Sequence, residues 1–129
     1  MKGRVVRIRP DQPTETIQRL PYFLGVCEKT APARGLSLSL VVVPPGAASE
    51  PHYHKGFETA IYQLEGRVET RYGASLEHSV VTDPGDFLFI GPGVPHQAVN
   101  LSETERAVGV VARNDAGELE RVVLVEPAR

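Results

Sequence analysis

Glycine and proline account for 23 of the 129 residues, 12 and 11 respectively, and they fall between short apolar runs. A helix cannot propagate through such punctuation, because proline removes a backbone donor and glycine costs conformational entropy, so the chain is restricted to short strands joined by turns. The runs can be read in order. Val5 to Ile8 is a first strand, and the polar stretch Asp11 to Leu20 has room for a short helical turn between Pro13 and Pro21. Tyr22 to Lys29 and Gly35 to Val43 follow; the latter alternates Leu with Ser and then becomes wholly apolar, which predicts a strand that begins half-exposed and ends buried. Thr59 to Leu64, Arg67 to Tyr72, Leu76 to Val81, Phe87 to Ile90, Gln97 to Leu101, Ala107 to Ala112 and Leu119 to Val125 complete a series of about ten strands. Turns recur every 8 to 12 residues or so, and no amphipathic helix interrupts them, which means an all-β sandwich or barrel.

Composition limits the partners. Acids and bases are interspersed and the net charge is −2, so there is no electrostatic footprint for nucleic acid or an anionic membrane. The expected partner is a small molecule. Cys27 is the only cysteine, which excludes an intramolecular disulfide, and its apolar surroundings, Tyr22 to Val26, read as core. No run reaches the ~18 apolar residues of a spanning helix and the N-terminus has no signal-like apolar stretch, so a cytoplasmic location is the expectation.

The chemistry concentrates in Pro51-His52-Tyr53-His54-Lys55-Gly56-Phe57-Glu58. On a strand alternate side chains share a face, so His52 and His54 point the same way. Lys55-Gly56 can bend the chain and return Glu58 to that side. Two imidazoles and a carboxylate form a mixed nitrogen and oxygen donor set suited to Zn, Fe, Mn, Ni or Cu. A third histidine, His96, lies in the turn-rich Pro92-Gly93-Val94-Pro95-His96, and a closed β structure can bring it to the first two.

These residues resemble the two motifs of the cupins, G-x5-H-x-H-x3/4-E-x6-G and G-x5-P-x-G-x2-H-x3-N. Gly46, His52, His54 and Glu58 match the first, which closes at Gly66, one residue later than the pattern. Gly85, Gly93, His96 and Asn100 match the second, with Gly91 in the place of its proline. The resemblance implies one cupin domain over residues 1–129, with motifs at 46–66 and 85–100, folded as a jelly-roll or double-stranded β-helix barrel. It implies one divalent metal ion held by His52, His54, Glu58 and His96, and a homodimer. The stretch Arg4 to Arg9 is a candidate pairing edge, although its arginines could equally guard that edge.

Around the ligands, Tyr62 and Leu64 share parity with Glu58, making Tyr62 the candidate polar group of the pocket, with core aromatic as its alternative. Phe57, Phe87 and Phe89 are expected to pack the barrel wall. His78 fits neither motif and is left outside the site, and Gln97 should point away from it. Asn100 is expected to stabilise a turn. Three functions are compatible with this set. One is a dioxygenase-type oxidoreductase on a small aromatic or enol-bearing substrate, with Glu58 able to act as base. Another is a non-redox cyclase, isomerase, lyase or decarboxylase using the ion as Lewis acid. The last is a binding module without turnover. The intact ligand set favours an enzyme, and the oxidoreductase is set slightly ahead.

Overall fold

A computed structural model describes residues 3–15, 19–117 and 122–125. Eleven strands follow one another: β1 (Thr14–Glu15), β2 (Pro21–Val26), β3 (Ser37–Val43), β4 (His52–His54), β5 (Thr59–Glu65), β6 (Val68–Tyr72), β7 (His78–Thr82), β8 (Phe87–Ile90), β9 (His96–Asn100), β10 (Ala107–Arg113) and β11 (Val122–Leu124). No helix occurs among the described residues. The strands form two antiparallel sheets, one ordered β1-β2-β3-β10-β5-β8 and the other β11-β4-β9-β6-β7. The sheets face each other around one core, built on Leu20, Tyr22, Val41, Val43, Val68, Ala107 and Val111. This is the all-β architecture that the turn spacing predicts, in the jelly-roll form that the cupin resemblance implies.

Several expectations change in detail. Residues 4–9 form no strand within this chain, and Val5 is fully exposed, so the expected first strand is absent among the described residues. Two β-branched residues between arginines have no partner strand to bury them. The segment 11–20 contains β1 and, at 16–18, residues outside the described set. The expected final strand is shorter, Val122–Leu124, with 118–121 likewise outside that set.

In β3 the alternation has the opposite sense to a surface reading. Ser37 and Ser39 are the buried members, and Leu38 is 43% exposed. Register explains the serines: the inner face carries the rows Ser37–Arg113–Thr59–Ile90 and Ser39–Val111–Ile61–Leu88 across β3, β10, β5 and β8. Ser39 Oγ accepts the amide of Gly25 at 3.3 Å, which meets the hydrogen-bonding need of a hydroxyl in the interior. The outer face carries Leu38–Ala112–Ala60–Phe89 and Phe23–Leu40–Val110–Tyr62–Phe87. Phe87 and Phe89 are therefore not barrel-wall residues; they stand 80% and 64% exposed on the edge strand β8. Phe57 is buried as expected, and so is Cys27.

Two turns fix the strands that carry the site. At the β5–β6 hairpin Gly66 has φ of +76°, and a Cβ there would lie 2.7 Å from the Cα of Ala107, so both conformation and space select glycine. Asn100, at the end of β9, donates through Nδ2 to the carbonyls of Val43, Pro44 and Glu105 at 3.0, 3.2 and 2.8 Å, and its Oδ1 accepts the amide of Ser102 at 2.8 Å. One buried amide thus ties the end of β3 to the β9–β10 turn.

Candidate metal centre

β4 is three residues long, and its alternation turns His52 and His54 inward while Tyr53 is half-buried. β9 runs antiparallel to it with His52 directly opposite His96, so the third imidazole enters the same layer by register rather than by a loop excursion. The result is a cluster of three buried histidines whose candidate ligand nitrogens all lie within 4.8 Å of one another. Ring centroids stand 4.3 Å apart for His52 and His96, 4.9 Å for His52 and His54, and 5.4 Å for His54 and His96. Phe57 packs against the His54 ring at 5.3 Å.

The backbone sets the tautomers. His52 Nδ1 donates to the Glu50 carbonyl at 2.7 Å, and His96 Nδ1 donates to the Val94 carbonyl at 2.9 Å. A carbonyl can only accept, so Nδ1 carries the proton and Nε2 presents its lone pair. This is the outer support that orients imidazoles toward a metal. Burial, reinforced by the neighbouring His96 and the Arg113 charge, pushes His52 down to about 3. Burial, followed by Arg113, also lowers His96 below the usual histidine range. Both imidazoles are therefore neutral near pH 7, the form a metal ion requires.

Glu58 is not part of this cluster. It is exposed, and among the described residues the group that could hold a metal contains histidines alone. The cause is a register step of one residue. β5 begins at Thr59, whose side chain is buried at 2% exposure, and a neighbour one position earlier must point to the opposite face. Thr59, not Glu58, has six residues between it and Gly66, the spacing at which the first motif has its acid. Tyr62 shares the outward parity of Glu58 and rests against exposed Phe87 with ring centroids 4.8 Å apart, away from the histidines. The expected placement of Glu58 and Tyr62 in the pocket is thus corrected. His78 is an exposed residue beside Glu77, at 3.6 Å, and Tyr72, and it stays outside the site as read from the sequence.

Two residues that sequence reading passed over stand at the histidines instead. Arg113, the last residue of β10, is only 6% exposed, and its Nη2 lies 3.4 Å from His54 Nε2 and 3.3 Å from the Tyr22 hydroxyl. Tyr22 is 3% exposed and belongs to the core. The parity of Val111 in a run that stays apolar up to Ala112 is the signal that could have turned Arg113 inward. Beyond them lies a cavity of about 60 Å³, reached by Tyr22, His52, His96 and Arg113 and lined mainly by aliphatic residues, with the polar side chains of Ser49, Gln63, Thr70 and Thr82. Gln63 and Thr82 satisfy each other at 3.2 Å. A groove of about 320 Å³ between β7 and β8 passes Tyr72, Val80 and Phe89 and also reaches His96.

Residues 39–112 match the cupin domain family, and the chain belongs to that family. Among characterised sequences it is similar to germin-like protein subfamily T member 3 of Arabidopsis thaliana, 36% identical over 81 residues, 60% of this chain and 36% of that protein. The chain thus spans about a third of that relative's length. Among solved structures it resembles oxalate decarboxylase of Lactobacillus farciminis in a formate complex, with a TM-score of 0.74 at 18% identity, covering 88% of this chain and 33% of that one. An oxalate oxidase in complex with the substrate analogue glycolate superposes with a TM-score of 0.61 at 26% identity, over 70% of this chain and 46% of that one.

Proposed function

We propose that the protein is a metal-dependent enzyme that holds one divalent ion on His52, His54 and His96 and acts on a small organic molecule. The observation that carries this reading is the convergence of three buried imidazoles, two of them held by backbone carbonyls with Nε2 toward the cluster. The donor set fits a metal. Three neutral imidazoles without a carboxylate favour Fe, Ni, Cu or Zn over Mn, which prefers oxygen ligands. Such an ion would supply Lewis acidity, and a redox-active one would add electron transfer.

An oxidoreductase remains the first reading, since a 26% identical structure is an oxalate oxidase, and a non-redox lyase or decarboxylase is the second, since oxalate decarboxylase shares the fold. The chain's own residues contribute positioning. The backbone holds His52 and His96, Phe57 supports His54, and aliphatic side chains form much of the cavity wall. Glu58, facing solvent, has no part in this reading as a base.

Elemental analysis of untagged protein purified without chelator tests the proposal, with His96→Ala as control. About one equivalent of metal in the wild type that is lost in the variant supports it. Iron, copper or nickel directs the search to oxygen uptake, and zinc moves the non-redox reading ahead. The same trace metal in both proteins would overturn the assignment.

A further inference from the structure

A sheet face turned to water normally carries polar residues, but the outer face of the first sheet carries almost none. Its row Leu38–Ala112–Ala60–Phe89 is wholly apolar, and the neighbouring row from Phe23 to Phe87 is apolar except for the Tyr62 hydroxyl. Leu36, Leu38, Leu64, Phe87 and Phe89 stand 43 to 80% exposed. At roughly 200 Å² for a large apolar side chain, these offer about 500 Å² to solvent, the upper end for the largest patch on a monomer. The half-buried members of the two rows bring the face toward the ~800 Å² that each partner gives a standard interface. Strand β8, at the edge, holds no charge or proline to guard it against association.

The face also has a shape that fits its own image. In the first row the large side chains stand at the ends, on β3 and β8, with Ala112 and Ala60 between them. Both alanines line a groove of about 620 Å³ together with Leu36, Leu38 and Phe89, and Glu58 and Asn114 give it a polar end. A second copy turned by a two-fold axis between the faces can lay its Phe89 in this groove while its own groove receives the first, an isologous contact. Stacked sheets interdigitate their side chains in this manner. Neither row holds a charge that would select a different protein, and an apolar centre with a polar rim is the composition of homodimer interfaces. The stretches of this sequence outside the described residues are at most four residues long, too short to cover two rows that cross four strands or more.

We propose that this outer face is a homodimer interface, in which Phe89 of each copy fills the groove over Ala60 and Ala112 of the other. The face lies across the first sheet from the histidine cluster, so the interface stands or falls independently of the metal-dependent reading. It makes no use of Arg4 to Arg9.

The experiment is sedimentation equilibrium of the full chain from about 1 to 100 μM, the range in which a standard interface holds, with circular dichroism and metal content read on the same samples. The wild type is expected to sediment at twice the chain mass. Phe89→Asp puts a charge into both halves of the symmetric contact, and its dimer dissociation constant should rise at least about hundredfold with fold and metal content unchanged. Ala60→Glu, which fills the groove from the opposite side, should have the same effect and serves where Phe89→Asp does not fold. Val5→Asp, on the N-terminal stretch, should leave the dimer intact. A monomeric wild type over this range would overturn the proposal and leave the face to a different protein. Undiminished dimerisation in both face variants, or a dimer lost in Val5→Asp alone, would overturn it by placing the contact elsewhere.

Discussion

Thr59 and Arg113 are cross-strand neighbours on β5 and β10, both buried, at the end of the barrel where His52, His54 and His96 meet. The pairing decides how the site is charged. One position earlier, Glu58 spends its main-chain amide on the Asn114 side chain at 2.8 Å and leaves its carboxylate outside.

Exchanging these positions should separate the two faces. Glu58→Gln is expected to leave metal content and chelator resistance unchanged. Thr59→Glu puts an acid beside Arg113 and the histidines, where it adds a ligand to the ion. We expect metal retention against a competing chelator to rise about tenfold or more. A loss of metal in Glu58→Gln would show that the outer carboxylate swings inward.

The histidines themselves should behave as a unit. His52→Ala or His54→Ala is expected to abolish stoichiometric metal binding with the β signature in circular dichroism retained, because the core on Val41, Val43 and Val111 does not depend on the imidazoles. His78→Ala, and Tyr62→Phe on the outer face, should change neither metal content nor activity. Full metal stoichiometry in both β4 variants would remove the proposed centre.

What could be read from the sequence, and what could not, follows from the two-residue period of a strand. The period turns His52 and His54 to one side whatever the rest of the barrel does, and turn spacing was enough for the fold class. Glu58 failed because a bend precedes it: Lys55-Gly56 breaks the period, and parity has to be recounted from the far end, at Gly66. Counted so, the motif's closing glycine, one residue late for Glu58, is on time for Thr59. Tyr62 was misplaced by the same step. For Phe87 and Phe89 no local count helps, since an apolar run does not reveal that its strand lies at a sheet edge with one face outward. Ser37 and Ser39 mislead for a related reason. Their hydroxyls find partners only in three dimensions, as Ser39 does with Gly25.

Asn100 offers a stability test independent of the metal. Its side chain satisfies three carbonyls and one amide in a buried turn, so Asn100→Ala strands several polar groups at once. A loss of about 2–4 kcal/mol is expected, read from urea midpoints, with metal still bound by the folded fraction. A midpoint shift corresponding to under about 0.5 kcal/mol would mean that water replaces the amide without cost.

The buried imidazoles also make the metal-free protein sensitive to mild acid. Above pH 6.5, the ordinary histidine value, His52 is neutral folded and unfolded, and it contributes no pH dependence. Below that, the unfolded chain takes up a proton that the folded state refuses until about pH 3, so stability falls as pH falls through this window. The slope approaches about 1.4 kcal/mol per pH unit, or about 2 kcal/mol lost by pH 5 from His52 alone. His96, lowered in the same direction, steepens the decline. Carboxylates titrate mainly below this range, which leaves pH 6.5 to 5 to the histidines. Urea midpoints of chelator-treated wild type should therefore drop between pH 7.5 and 5, and those of His52→Ala should drop less. Superimposable midpoints for the wild type at the two pH values would mean that the pocket accepts the proton, and with it that His52 is not held neutral by burial.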